Sequence, residues 1–174
     1  MNESNKKELI IILPKLRRYC YALTNDESYA DDLLHDSIVK IISRFNFLKI
    51  ENFQAYMYRI ISNTWKDSLR KKYVRKEISI DSDSLKNNVG LSITDKTNIE
   101  YASTGKNVFK KINQLSEKLK NTLILVTVQK KTYQEASEIL KVPIGTIMSR
   151  IHEARRILLK NNEIDKEEKE NDNR

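Results

Sequence analysis

Glycine and proline are nearly missing from this chain: three glycines and two prolines stand among 174 residues. Hairpin sheets need tight turns that these residues supply, so their scarcity argues against strands and for helices. The single cysteine, Cys20, excludes an internal disulfide framework and a cysteine-rich zinc site, and reads as a packed thiol of the first helix. No apolar run approaches the roughly 20 residues that span a bilayer. The segment "ELIIILPKL" is too short and wrongly flanked for a secretory signal, so a cytoplasmic chain without a membrane partner is expected. A phosphate-cradling glycine loop of the Walker type is missing too, so no nucleotide hydrolysis and no cofactor are expected.

What the chain has is charge. Charged residues make up 32% and hydrophobic residues 39%, and 32 Lys and Arg outweigh 24 Asp and Glu for a formal net charge of +8. That balance points to a polyanionic partner, either nucleic acid or an anionic surface. The length suits one ordinary domain or two small ones.

Apolar residues recur at helical spacing between Lys6 and Tyr73. Leu34, Ile38, Ile41, Ile42 and Phe45 make one stripe, and Phe53, Met57, Ile60, Ile61 and Leu69 another, enough for three helices around one core. "LTNDES" supplies start signals for the second helix, and Asn52 an N-cap for the third. From "VRKEISI" to "ASTGK" the period disappears and the other two glycines occur, which reads as a flexible linker over 74–107. Its roughly 34 residues would span about 30 Å relaxed and at most about 110 Å extended. Periodicity returns with Val108, Ile112, Leu115, Leu119, Leu123 and Val126, as two helices broken near Ser116. The tail, 161–174, has six acids against three bases and no apolar stripe, and reads as disordered.

Three clusters carry chemistry. The first is a helix, tight turn and helix, "TYQEASEIL", "KVP", "IGTIMSRIHEARRILLK". Thr132 and Glu135 have capping-box spacing. Ile144, Ile147, Ile151, Ala154 and Leu158 share one face of the second helix, which turns Gly145, Ser149, His152, Glu153 and Arg156 outward. Pro143 loses no needed donor at a first turn, and bare Gly145 lets the helix N-terminus approach a phosphate. Thr146, Ser149 and Arg150 add hydroxyl and guanidinium groups suited to backbone and base edges. An ordinary helical hairpin with a solvated basic face would show the same spacing.

The second cluster, "KDSLRKKYVRK", holds six bases and one acid and follows "YMYRIISNTW". Aromatic residues beside cations suit single-stranded nucleic acid, yet Trp65, Tyr56 and Tyr58 lie at spacings equally suited to a core. The third, "YADDLLHDS", gathers Asp31, Asp32, His35 and Asp36 within two helical turns. A metal phosphohydrolase at His35 and Asp36 would need further histidines, and the only other, His152, belongs to the other module. An acidic docking face for a protein partner fits better, and a plain solvated face remains the simple alternative.

Taken together and in this order, the clusters resemble the extracytoplasmic-function sigma factors of bacterial RNA polymerase. "ADDLLHDSIVKII" is similar to the segment of sigma region 2 that docks on the polymerase clamp helices. "FQAYMYRIISNTWKDSLRKK" is similar to the promoter-melting helix, with the Asn63, Asp67 and Arg70 spacing kept. "LSEKLKNTLIL" through "HEARRIL" is similar to region 4, whose Gly-Thr-x-x-Ser-Arg stretch opens the recognition helix.

The resemblance implies an all-α fold of two small helical domains, region 2 over 1–73 and region 4 over 108–160. It implies a non-enzymatic initiation factor with no catalytic residues and no metal. Its partners would be core RNA polymerase, at the clamp helices and flap, and promoter DNA, double- and single-stranded. Asp31, Asp32, His35 and Asp36 would bind the polymerase. Arg59, Asn63, Lys66 and Arg70 would hold the downstream promoter element. Thr146, Ser149, Arg150, His152, Glu153 and Arg156 would read the upstream element. An anti-sigma protein is the expected regulator of the group. A free-standing helix-turn-helix regulator is the rival reading, and it would not require the acidic face. The chain departs from the family pattern at His35, where glutamine is usual, at Tyr56 for tryptophan, and at Lys141 in a turn normally held by glycine. Met148 and Glu153 stand where basic residues are common, which implies an altered promoter preference.

Overall fold

The computed structural model describes residues 3–44, 50–80 and 111–171. Among the described residues the main helices are α1 (Glu3–Thr24), α2 (Glu27–Arg44), α3 (Phe53–Ile80), α4 (Glu117–Thr127), α5 (Tyr133–Leu140) and α6 (Ile144–Asn171). A short helical segment over 111–114 precedes α4, with the break at Ser116 where the apolar period predicts it. Among the described residues no helix is long and apolar enough to cross a membrane.

The first module is a three-helix bundle. α1 buries Leu9, Ile12, Leu16, Tyr19, Cys20 and Leu23, a heptad-like stripe along one face. α1 continues through Pro14, whose ring is exposed, so the helical hydrogen bond it removes lies on the solvent side. α2 presents Ala30, Leu33, Leu34, Ser37 and Ile41 to α1, and α3 closes the bundle with Phe53, Met57, Ile60, Ile61 and Trp65. Ile42, expected in the α2 core stripe, instead faces out and is 51% exposed, while Phe45 lies outside the described residues. The caps are where the sequence places them. Asp26 Oδ1 accepts from the Tyr29 N–H at 2.7 Å, and Asn52 Oδ1 accepts from the Ala55 N–H at 2.9 Å.

The second module wraps α5 and α6 around α4. The Thr132–Glu135 capping box is closed from both sides: the Glu135 N–H donates to Thr132 Oγ1 at 3.2 Å, and the Thr132 N–H donates to Glu135 Oε2 at 2.8 Å. α5 ends at Lys141, which takes the left-handed conformation at φ 54 and ψ 48. Lysine there costs about 1 kcal/mol relative to glycine. The turn is held by the Ser137 hydroxyl, which donates to the Val142 carbonyl at 2.6 Å, and by the Val142 N–H, which donates to the Ser137 carbonyl at 3.3 Å.

The helices at the two module ends run long. α3 runs on to Ile80, seven residues beyond the expected end at 73. α6 continues to Asn171, so most of the stretch expected to be a disordered tail is helical in backbone. Neither extension meets a glycine or proline, and Asp165 and Lys169 are spaced i, i+4 within the tail. The rest of the expected linker, 81–107, and Val108 of the second module's stripe lie outside the described residues.

The two modules pack on each other. α4 lies against α1, and α5 against α3. Because it is enclosed by both modules, α4 buries an unbroken run, Lys120, Asn121, Thr122, Leu123, Ile124 and Leu125. Tyr58 and Trp65, 1% and 3% exposed, are core side chains at this seam, and Tyr56 is buried as well. This settles the open choice between packing and base stacking for all three in favour of packing. The Tyr56 hydroxyl has no hydrogen-bond partner among the described residues.

Candidate nucleic-acid and partner interfaces

On α2 the residues that turn away from the bundle are Asp31, Asp32, His35 and Asp36, all exposed. They follow from the buried set: with Ala30, Leu33, Leu34 and Ser37 inward, these positions point outward. Asp31 is engaged within the chain. Arg17 of α1 grips its carboxylate with two hydrogen bonds, at 2.8 and 3.0 Å, and also reaches Glu27 at 2.9 Å. The Arg17 guanidinium holds the Asp31 carboxyl below the usual carboxylate range. Among the described residues no side-chain hydrogen bond or ion pair engages Asp32, His35 or Asp36. Val39 and Ile42, 52% and 51% exposed, carry the same face one and two turns further.

On α3, Arg59, Asn63, Lys66 and Arg70 fall at heptad spacing along one side of the helix. Asn63 and Arg70 are exposed, whereas Lys66 is half-buried. Burial lowers the Lys66 pKa first, and the neighbouring charges of Arg150, Arg70 and Lys118 lower it further, with Glu117 opposing them. The charge of Arg150 on α6 is thus felt at Lys66. Arg59 is occupied: Nη2 donates to the Glu138 carbonyl at 3.1 Å and Nε to the Ile139 carbonyl at 3.3 Å, at the C-terminal end of α5.

α6 divides as its periodicity predicts. Ile147, Ile151 and Ala154 are buried against α4 and α5, while Ile144, at the helix start, is 39% exposed. Gly145, Ser149, His152 and Arg156 are exposed, and Thr146, Arg150 and Glu153 half-buried. Pro143 accepts the first backbone bonds, from the Thr146 N–H at 2.9 Å and the Ile147 N–H at 3.3 Å. A Cβ added at Gly145 would meet nothing within 4 Å, and its φ is negative. Neither packing nor backbone conformation within the chain requires glycine there. The Glu153 carboxylate accepts from Arg156 Nη2 at 2.8 Å and from Nε at 3.3 Å, and this hydrogen bonding lowers the Glu153 pKa. The acid that interrupts the basic face is thus partly neutralised by its neighbour.

The comparisons with known proteins agree with this geometry. Residues 12–74 match the family model Sigma-70 region 2, and residues 107–158 match Sigma-70, region 4. The chain belongs to the extracytoplasmic-function (ECF) sigma factors of RNA polymerase. It is 24% identical over 159 residues to the ECF RNA polymerase sigma factor SigW of Bacillus subtilis, covering 84% of this chain and 82% of that one. It is 23% identical over 157 residues to EcfG of Rhodopseudomonas palustris, covering 89% and 83%. Among solved structures it is similar to the sigma factor RpoE of Bartonella quintana in complex with the anti-sigma factor NepR. That match has a TM-score of 0.72 and 26% identity, over 94% of this chain and 99% of that one. The fold is also that of CnrH in complex with the cytosolic domain of CnrY, with a TM-score of 0.66 and 15% identity, over 92% and 88%.

In this sigma factor the first module is region 2 and the second region 4, and sequence reasoning missed what joins them. At the centre of the seam the Tyr19 hydroxyl donates to Asn121 Oδ1 at 2.5 Å, and Asn121 Nδ2 donates to Ser62 Oγ at 2.6 Å. The Gln129 amide sits 3.0 Å from the Tyr58 hydroxyl and within 3.3 Å of the Tyr19 N–H and the Lys15 carbonyl. The partners of Asn121 lie 59 and 102 residues away and leave no local signal.

Lys120 is the costliest of these groups. It is 7% exposed, donates to Asn113 Oδ1 at 2.5 Å and lies 5.8 Å from the centre of the Trp65 ring. Burial pushes its pKa down to about 8 from 10.5. A lysine with a lowered folded-state pKa penalises the fold while charged, and the penalty fades as pH rises from the folded towards the unfolded pKa. Lys120→Met is therefore expected to raise the melting temperature at pH 7. Its advantage over the parent should shrink by about 2 kcal/mol between pH 8 and 10. Denaturant melts of both proteins across that range check this, because Cys20 and the tyrosines contribute equally to each.

Proposed function

We propose that this ECF sigma factor divides its work among three faces. The exposed α2 face of Asp32, His35 and Asp36, flanked by Asp31, docks on the clamp helices of core polymerase. The α3 stripe of Arg59, Asn63, Lys66 and Arg70 holds the downstream promoter element as it opens. The α6 face of Thr146, Ser149, Arg150, His152, Glu153 and Arg156 enters the major groove of the upstream element. Strand opening is then driven by binding energy, with no catalytic residue, metal or cofactor, and the protein works in the bacterial cytoplasm. Region 4 also meets the flap of the polymerase, and an anti-sigma protein regulates the chain, as NepR and CnrY accompany the structural relatives.

One observation carries the reading best. Gly145 is exposed at the start of α6 with open space where a side chain would be. Glycine in the first turn of a helix brings no stability that alanine would not. Close approach of a phosphate to the free N–H groups at the helix N-terminus gives the bare backbone a purpose. Footprinting of the assembled holoenzyme tests the assignment. The parent should protect two separate promoter segments. Changing Ser149, Arg150 and Arg156 to alanine should remove only the upstream one, and changing Asn63 and Arg70 only the downstream one. Footprints that weaken together in both variants would refute the division of labour.

A further inference from the structure

A cavity of about 200 Å³ opens where α1 and α3 meet the connection between α4 and α5. Four of the residues around it are cations: Lys15 and Arg18, which are i, i+3 neighbours on α1, and Lys130 and Lys131 of the connection. None of the residues assigned to the polymerase or promoter faces lines it. Its floor is fixed. Lys131 Nζ donates to Gln54 Oε1 at 2.6 Å and to Glu135 Oε1 at 3.0 Å, and it stands 5.3 Å from the centre of the Tyr58 ring.

The cations outnumber their partners. Glu135 neutralises Lys131, and its other oxygen accepts from the Thr132 N–H. Among the described residues no hydrogen bond or ion pair engages the side chains of Lys15, Arg18 or Lys130. Arg18 acts on the floor from a distance: burial pushes the Tyr58 hydroxyl up to about 12, the Arg18 charge opposes that rise, and Glu135 adds to it. Three unpaired charges around one concavity repel one another while it is empty, and its walls focus their field on an incoming anion. Lys130 is also left-handed at φ 54, a conformation that glycine adopts without strain. The chain thus keeps a lysine where both its backbone and the neighbouring charges disfavour one, and a local rule broken without internal gain points to a ligand.

The volume narrows the choice of anion. It is below the roughly 300 Å³ at which pockets for drug-sized molecules begin, so a phosphate chain fits, a nucleoside attached to it would project into solvent, and a duplex does not enter. We propose that this cavity binds a linear oligophosphate, a diphosphate or triphosphate chain, held by Lys15, Arg18 and Lys130 above the fixed Lys131. Arg18 offers a planar fork to two phosphate oxygens, and the lysines add point charges. The bound chain touches α1 and the α4–α5 connection at once, and occupancy stabilises the folded protein by mass action. The site does not depend on the promoter roles proposed above.

Calorimetric titration of the full-length free chain with inorganic tripolyphosphate, at fixed ionic strength and without divalent cations, tests it. One equivalent should bind saturably, and orthophosphate should bind at least about tenfold more weakly. Arg18→Gln and Lys130→Gly should each weaken tripolyphosphate binding by about ten- to a hundredfold. Lys7→Gln, an equal loss of charge about 12 Å away along α1, should leave it unchanged. Without ligand, Lys130→Gly is relieved of strain and repulsion and should melt about 2 °C higher than the parent, so its lost affinity is not a loss of fold. ATP forms the second arm: affinity equal to that of tripolyphosphate extends the site to nucleotide phosphates, weaker binding assigns it to inorganic chains, and both support it. Absence of saturable tripolyphosphate binding, or an equal loss in Lys7→Gln, would overturn the proposal. So would a tenfold loss of affinity for a promoterless DNA duplex in Lys130→Gly, which would assign these cations to the DNA backbone.

Discussion

Changing Asp32 and Asp36 together to alanine is expected to weaken binding to core RNA polymerase by about a hundredfold, or about 2.7 kcal/mol. Both carboxylates stand exposed on α2, and no ion pair engages them among the described residues. They are fully available to a basic partner, and their removal deprives the chain of nothing internal. Surface substitutions of this kind change stability by no more than about 0.5 kcal/mol. The loss should therefore appear in a fluorescence titration against core polymerase while the melting temperature stays put. It should also diminish as salt rises, because exposed charges are screened over about 8 Å at physiological ionic strength. Asp31→Ala is a different case. Its carboxylate is held by Arg17, so this substitution loosens the junction of α1 and α2 as well as the face. Unchanged affinity in the double variant would show that the α2 face is not the surface that docks on the polymerase.

The second large effect has opposite signs in two assays. Gly145→Glu should stabilise the free protein by about 0.5 kcal/mol, because it places a negative charge at the N-terminus of α6. Nothing within 4 Å obstructs a Cβ there. The same carboxylate should lower affinity for the upstream element by about ten- to a hundredfold. It would stand where a phosphate is expected, and it turns an attraction into repulsion. Thermal melting and a binding titration on a duplex carrying the upstream element measure the two effects separately. Stabilisation with undiminished DNA binding would show that α6 does not bring its N-terminus to the backbone.

Where the helix boundaries rest on local chemistry, they were legible in the sequence. Asp26, Asn52 and the Thr132–Glu135 box cap the helices they were expected to cap, and the buried face of α6 is the one its period marks out from Ile147 onward. The outward positions of α2 and most of those of α6 were legible for the same reason, since a stripe left outside the core can be read from the stripe inside it. The seam between modules was not. Lys120, Asn121 and Thr122 lie between the apolar positions Leu119 and Leu123 and carry no apolar signal of their own, yet α4 is buried by α1 on one side and by α5 and α6 on others. A binary pattern cannot announce burial on every side when polar residues fill part of it. Arg59 shows the same limit from another direction. Its place on the α3 stripe was readable from spacing, but its hold on the α5 carbonyls depends on a chain reversal 80 residues away. The extension of α3 to Ile80 was hidden by its lack of an apolar period, since helix propensity leaves no such mark.

The central claim is that this chain directs RNA polymerase to promoters, and run-off transcription with purified core polymerase on a library of promoter fragments measures it most directly. Discrete starts are expected at a restricted set of fragments. These should disappear when the chain is omitted and fall sharply with the Asp32 and Asp36 double variant. Transcripts that are identical with and without the chain, or no specific start on any fragment, would contradict it.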